Sequence, residues 1–226
     1  MRQDAQRNRE RILAAAREVY AEQGVEAPLD VIARRADVGN ATLYRRFPDR
    51  AALIEAVFQE DLAATIEAGE RMRGSADPWE GLNGYLERIF SGLATDRGVT
   101  DLMTTDIAGV PTLEQLHVHN AETIGGLLAR CREDGSVRGD VTVEDVLFTL
   151  AALGRAVPAA DAVVAGSWRR LLALFLDGLR AEGVRPLPGE PLTSEQLKGA
   201  LGALGAAGTT GKQEAAHRAG RSGPAE

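Results

Sequence analysis

Two short amphipathic segments joined by a tight turn, at residues 29–50, constrain the fold of this chain more than any other feature. The stretch reads LDVIARRADVGNATLYRRFPDR. Apolar side chains recur at helical spacing before the turn, at Ile32 and Ala36, and again after it, at Leu43 and Phe47. Helices this short are unstable alone and need tertiary partners. Two of them joined by a tight turn predict a helix-turn-helix.

Helical periodicity extends over most of the remaining chain, and no period-two alternation is long enough to predict a strand. Aromatic residues make up only 4% of the chain, so its core depends on aliphatic side chains. The expected helices span residues 6–23, 29–36, 40–47, 49–74, 79–95, 101–107, 112–133, 143–157, 162–182 and 194–204. Pro158 is expected to break the chain after the eighth of these.

This pattern predicts an all-α fold with three regions. Residues 1–50 form an N-terminal three-helix domain that contains the helix-turn-helix. A long fourth helix joins it to a larger helical domain, and together they make up residues 51–182. Residues 183–226 are rich in glycine and proline and are expected to be mostly disordered apart from the short helix at 194–204.

The charge distribution favours a polyanionic partner at the N-terminal end only. The net charge is −7, but residues 1–50 hold ten arginines against eight acidic residues. The polar N-terminus lacks a signal-peptide core, no run of about 20 apolar residues predicts a membrane span, and there is one cysteine. We therefore expect a cytoplasmic protein without a membrane partner.

At residues 32–53 the sequence resembles the DNA-binding domain of the tetracycline-repressor (TetR) family. The matching positions are Ile32, Ala33, Ala36, Val38, Leu43, Tyr44, Phe47, Arg50 and Leu53. Two positions depart from the family pattern. Asp37 replaces a usual glycine, which Asp tolerates because it adopts the left-handed conformation more readily than most residues. Leu29 replaces the usual Thr or Ser helix cap.

The resemblance implies which side chains contact double-stranded DNA. Thr42, Tyr44 and Arg50 would bind phosphates, and Arg46 would bind a phosphate or a base. Asn40, Ala41 and Arg45 would face base edges, where arginine binds guanine O6 and N7 with two hydrogen bonds. Without the motif, an arginine pair of this kind is usually no more than a solvated surface.

The resemblance also implies that the larger helical domain binds a small-molecule effector and dimerises. Candidates around the effector are Phe90, Leu93, Met103, His117, Asn120 and Phe148. His117 and Asn120 would supply hydrogen bonds in an apolar pocket; alternatively, they are core residues with internal partners, or they are locally exposed. Candidates for the dimer interface are Val146, Leu150, Leu153, Trp168, Leu171, Leu172, Phe175 and Leu179, and each has internal core as its alternative.

The resulting hypothesis is a ligand-responsive homodimeric regulator, most simply a repressor that a small molecule releases from an inverted-repeat operator. An enzyme is disfavoured, because no nucleophile motif, phosphate loop or paired carboxylate motif is present. No cofactor or metal is expected. His117 and His119 are two residues apart, so their side chains point about 200° apart on a regular helix and cannot bind the same metal ion. The third hypothesis is a helical interaction module that has lost DNA binding.

Overall fold

The computed structural model describes residues 2–104, 107, 109–182 and 185–204, and its regular elements are all helices. The helices are α1 (Arg2–Gln23), α2 (Leu29–Arg35), α3 (Asn40–Arg46), α4 (Arg50–Arg73), α5 (Pro78–Thr95), α6 (Arg97–Thr104), α7 (Pro111–Glu133), α8 (Val143–Asp161), α9 (Trp168–Leu179) and α10 (194–204). An isolated antiparallel bridge joins Val137 to Arg180. Within the described residues, the all-α prediction is confirmed.

The helix starts follow the side-chain caps in the sequence. Asp49 accepts from the backbone N–H of Ala52 at the start of α4, and Asp77 caps α5 in the same way. Thr142 and Asp145 form a reciprocal capping box at the start of α8. Each cap satisfies N–H groups that lack a partner inside the helix, which fixes the residue at which the helix begins.

Three predicted helix boundaries differ clearly from the structure: the end of α8, the start of α9 and the start of α6. Pro158 does not end α8, which continues to Asp161. The break comes instead at Gly166, which has φ +80° and donates its N–H to the Asp161 carboxylate at 2.8 Å. Consequently α9 begins at Trp168 rather than at residue 162. Helix α6 also begins earlier than predicted, because the Asp96 carboxylate accepts from the N–H of Val99 in its first turn.

Two hydrophobic cores organise the chain. The first joins α1, α2 and α3 to α4, and it also takes in residues from α6 and the start of α7, such as Leu102 and Leu113. The second lies between α5, α7, α8 and α9. Helices α1–α3 therefore share a core with the larger helical domain, so the two predicted domains are in direct contact through α6 and α7.

Part of the C-terminal tail packs against the rest of the protein, including residues 185–187, for which disorder was expected. The Arg138 guanidinium binds the Asp140 carboxylate and the carbonyl of Arg185. Asp140 also accepts from the N–H of Leu187 at 2.8 Å. The predicted helix at 194–204 is confirmed and buries Leu197. The expectation for residues 205–226 falls outside the described residues.

Candidate DNA-binding surface and effector groove

Helix α3 presents a polar face to solvent and an apolar face to the core. Leu43 is fully buried and Phe47 nearly so. The outer residues Asn40, Ala41, Tyr44, Arg45 and Arg46 are exposed, and Thr42 is half-buried. Tyr44 has 52% of its surface exposed, so its hydroxyl and ring are accessible to a partner. All the predicted α3 contacts except the half-buried Thr42 thus lie fully on the accessible side.

The turn between α2 and α3 is held by a left-handed residue, as the sequence predicts. Asp37 adopts φ 51°, and the N–H of Val38 donates to the carbonyl of Ala33 at 3.0 Å. Arg11 of α1 binds both the carboxylate and the carbonyl of Asp37. Asp therefore takes the place of glycine by accepting the left-handed conformation and a charged partner from α1.

The arginines of the N-terminal region fall into two groups. Arg11, Arg34 and Arg35 form ion pairs with Asp37, Asp30, and both Glu18 and Glu22, respectively. Within the described residues, neither Arg45 nor Arg46 lies within ion-pair distance of a carboxylate. Among the residues that the structure describes, no carboxylate thus neutralises the positive charge of α3, whereas both arginines of α2 are paired.

Arg50 has an internal role that the sequence did not reveal. Its Nη1 donates to the carbonyls of Val25 and Ala27, the latter at 2.6 Å. These bonds tie the start of α4 to the loop between α1 and α2. A phosphate contact by the rest of the guanidinium stays a prediction, and loss of Arg50 would also disturb this loop.

A groove with a volume of about 630 Å³ opens between α4 and α5. Along α4 it extends from Phe58 to Met72, a distance of about 20 Å at the helical rise per residue. Its apolar lining includes Leu62, Ile89 and Val99. Arg17, Asp61, Arg88 and Arg169 add charge at its edges. The volume lies within the range of small-molecule sites.

Two of the six predicted effector residues, Met103 and Asn120, line this groove. Asn120 is 1% exposed, and its Oδ1 accepts from the Tyr85 hydroxyl. Its Nδ2 lies 3.9 Å from the Met103 sulfur. Burial raises the pKa of Tyr85 to about 12, so this phenol stays protonated and donates at neutral pH.

Neither histidine of the HxH pair lines this groove, and the predicted effector residue His117 is the more exposed of the two. His117 is exposed, and its Nε2 bonds the carbonyl of Leu102. His119 is the buried one, with Nε2 at 3.2 Å from Thr123 Oγ1. The reason is that α7 packs against α4 as well as α5, so its buried face is wider than the apolar stripe. Burial lowers the pKa of His119, and the nearby Arg73 lowers it further.

Phe90, Leu93 and Phe148 also do not line the groove. Phe90 and Leu93 lie in the second core, because α8 packs directly on that face of α5. Leu93 carbons lie 3.1 Å from where a side chain at Gly154 would begin, so the two helices are in close contact there. Phe148 is half-buried on another face of α8. Helical spacing identified the inner face of α5, but it could not show which residues of that face line the groove and which lie in the core.

Five of the eight predicted interface residues are buried within the subunit's own second core, where they pack against α5 and α7. These are Val146, Leu150, Trp168, Leu172 and Leu179. Trp168 also touches the groove. Leu153, Leu171 and Phe175 are only partly buried, and Leu174, which the sequence analysis did not select, is 60% exposed. The apolar surface of α9 that remains accessible therefore consists of Leu171 and Phe175, which belong to the predicted set, together with Leu174, which does not.

In the described part of the chain, no group of three or more His, Cys, Asp or Glu side chains is placed to hold a metal ion. No helix there is both long and apolar enough to cross a bilayer. The one cysteine, Cys131, is buried, and burial raises the pKa of its thiol.

Comparison with known protein families assigns both halves of the chain. Residues 12–57 match the family described as "Bacterial regulatory proteins, tetR family". Residues 77–181 match "Transcriptional regulator SbtR-like, C-terminal domain". An uncharacterized HTH-type transcriptional regulator of Mycobacterium bovis is 31% identical over 132 residues, which cover 57% of this chain and 68% of that protein.

Solved structures agree with this assignment. The TetR transcriptional regulator from Streptomyces coelicolor is 30% identical and superposes with a TM-score of 0.52 over 77% of this chain and 99% of that one. The regulator FadR from Bacillus subtilis, solved with stearoyl-CoA, has a TM-score of 0.57 at 20% identity, covering 78% and 99% of the two chains. At that identity the second match supports the fold alone.

Proposed function

The chain belongs to the TetR family of bacterial transcriptional regulators, and from this premise we propose that it is a homodimeric repressor released from an inverted-repeat operator by a small molecule. Membership of this family makes it a regulator that binds DNA through a helix-turn-helix rather than an enzyme. The dimer, the operator, the repressing sign, the effector and a cytoplasmic location belong to the proposal.

The observation that carries the proposal is the state of the α3 arginines. Arg45 and Arg46 are exposed and have no carboxylate partner among the described residues, whereas the arginines of α2 are paired. DNA phosphates and guanine edges are the partners that such side chains bind. Asn40, Ala41, Thr42 and Tyr44 complete the proposed reading surface, with Arg50 at its edge. This favours DNA binding over a helical interaction module that has lost it.

The effector is proposed to bind in the groove between α4 and α5. This position gives the groove a mechanical connection to α3. Phe58 and Leu62 line it and also belong to the core that α4 shares with α1–α3. A ligand that separates α4 from α5 would shift the support of the DNA-binding helices and bias the protein between two conformations.

A second link runs through α6. Leu102 and Met103 line the groove, and Asp101 of the same helix accepts from the N–H of Val25 in the loop that precedes α2. That loop is also held by Arg50. Movement of either α4 or α6 would therefore reach the same loop.

Dimerisation is proposed through the outer surfaces of α8 and α9, with Leu153, Leu171 and Phe175 as the retained candidates and Leu174 added. A stable interface buries on the order of 1,600 Å². Light scattering tests this at micromolar concentration. Phe175→Glu should produce monomers, while Glu190→Ala in the tail should leave the dimer intact.

Selection of bound sequences from random duplex DNA tests the DNA-binding proposal. The expected result is an inverted repeat whose half-sites are centred about 34 Å apart or a multiple of it, because the α3 helices of the two subunits must enter successive major grooves. Placing the selected site between a promoter and a reporter gene should lower expression when the protein is present. Failure to enrich any sequence would contradict operator recognition, and increased expression would contradict repression.

A further inference from the structure

The groove contains one buried polar group whose donors are poorly satisfied, and this group restricts the chemistry of the effector. Asn120 is 1% exposed and lines the groove. Within the described residues, the acceptor that the structure gives its Nδ2 is the thioether sulfur of Met103 at 3.9 Å. Thioether sulfur is a weak acceptor, and a buried amide whose donors lack a good acceptor is energetically costly.

The orientation of the amide is set by its other end. Tyr85 donates its hydroxyl hydrogen to Asn120 Oδ1 at 2.5 Å. Tyr85 is itself fully buried, so this bond is shielded from water. Because the phenol holds the carbonyl oxygen, the amide N–H groups point to Met103 and the groove. The oxygen and nitrogen positions of an Asn side chain follow from such a network.

From this geometry we propose that the effector is an elongated, mostly apolar molecule that presents an acceptor oxygen of the carbonyl type to the N–H groups of Asn120. This rests on the proposed function and deepens it. A ligand oxygen would provide the acceptor that the sulfur supplies poorly. A ligand with only donors at that point would face the two N–H groups of Asn120, so neither its own donors nor those of the amide would gain an acceptor.

The length and lining of the groove indicate the shape and polarity of the rest of the effector. It extends for about 20 Å along α4, and the most buried of its lining side chains are mainly apolar, among them Leu62, Ile89 and Leu116, while charged side chains lie at its edges. Such a shape accommodates an extended chain better than a compact polar molecule. The thioether side chain of Met103 adapts its shape readily, which allows it to move aside when the oxygen arrives.

A matched pair of probes tests the proposal directly. Dodecan-2-one carries an acceptor oxygen and no donor, whereas the dodecylammonium ion carries donors and no acceptor. Trp168 lines the groove, so its fluorescence reports binding, and Trp79→Phe removes the other tryptophan. We expect the ketone to bind at least about tenfold more tightly than the ammonium ion, equivalent to one hydrogen bond made rather than one left unmade.

The variant Asn120→Asp separates recognition from folding. It keeps an oxygen acceptor for the Tyr85 hydroxyl and the shape of the side chain, but it replaces the two N–H donors with a second oxygen. The affinity for the ketone should fall about tenfold and that for the ammonium ion should rise, so the preference inverts. Met103→Leu is the matched control: it removes the sulfur, retains the donors, and should preserve the preference for the ketone.

Tyr85→Phe provides a second variant in case Asn120→Asp does not fold, which circular dichroism would reveal. It removes the hydroxyl that orients the amide, so the amide can rotate. The ratio of the affinities for the two probes should then move closer to one. An unchanged preference in both variants, or equal affinity of the wild-type protein for both probes, would overturn the proposal. Operator binding is measured separately. If the protein binds the ketone but is not released from its operator, the proposed release by a ligand is contradicted, while the proposed chemistry of the groove is not.

Discussion

The DNA-binding head, which comprises α1–α3, and the larger helical domain use their polar residues in opposite ways. In α3 the polar side chains are exposed and the apolar ones, such as Leu43, point inward. In α7 the polar side chains of His119, Asn120 and Thr123 are buried and bond one another or α5. A helix that binds a polyanion keeps its polar groups in water until the partner arrives. A helix at the junction of two others satisfies them internally.

This difference decides what a substitution does in each region. On α3, substitution of a buried residue should affect stability and substitution of its exposed neighbour should affect DNA binding, because each side chain faces either the core or solvent. On α7, the same residue can support the fold and line the groove, as Asn120 does. The comparison can be tested by substitutions whose effects should fall on stability, on DNA binding, or on both.

The largest effect is expected from Leu43→Ala in the core of the head. Leu43 is fully buried, and its truncation should lower the free energy of unfolding by about 2–5 kcal/mol through lost burial and a cavity. Thermal unfolding measures this. The adjacent Tyr44→Ala removes an exposed side chain and should leave stability nearly unchanged while weakening DNA binding. Equal loss of stability in both variants would show that the two faces of α3 are not separated.

Arg45→Ala should weaken operator binding by about 1–3 kcal/mol and relax the preference at one base pair in each half-site. Arg34→Ala is the control, since Arg34 already pairs with Asp30 on α2. Fluorescence anisotropy on the selected operator and on single-base variants gives both values. A uniform loss over all sequences would identify Arg45 as a phosphate contact instead.

Gly69→Ala tests how closely α4 packs on α7. A Cβ at Gly69 would lie 2.2 Å from the His119 ring nitrogen, so the ring must move and the fold should lose about 1–3 kcal/mol. Gly126→Ala on α7 is the matched control, because its Cβ would meet nothing within 4 Å. That substitution should stabilise the protein by up to about 1 kcal/mol through helix propensity. Equal unfolding temperatures for the two variants would contradict the close contact.

The smallest expected effect concerns pH. Burial lowers the pKa of His119 in the folded protein, so the unfolded chain takes up a proton first as the pH falls. The stability from the neutral ring is complete above about pH 6.5 and is lost as the pH falls below that value. The loss should be the smallest of the effects described, and His119→Gln should lack it. Unfolding in urea from pH 7.5 to 5.5 measures the difference.

The sequence predicted the head in more detail than the larger helical domain. The turn residue Asp37, the cap Asp49 and the inward position of Leu43 all follow from short-range rules of backbone geometry and helical spacing. In the larger domain the same rules found the helices but not their neighbours. The pattern of α7 could not tell His117 from His119, because burial there depends on α4, which is distant in sequence.

The sequence by itself determined the all-α fold of the described residues, the helix-turn-helix and the face of α3 that is exposed. These depend on interactions within a few residues, which a single stretch of chain contains. Only the tertiary structure decided that Arg50 holds the loop before α2, that the larger part of the predicted interface stripe is internal core, and that Tyr85 orients Asn120. Each of these joins elements far apart in the chain, and periodicity along one helix carries no information about which neighbour packs on which side.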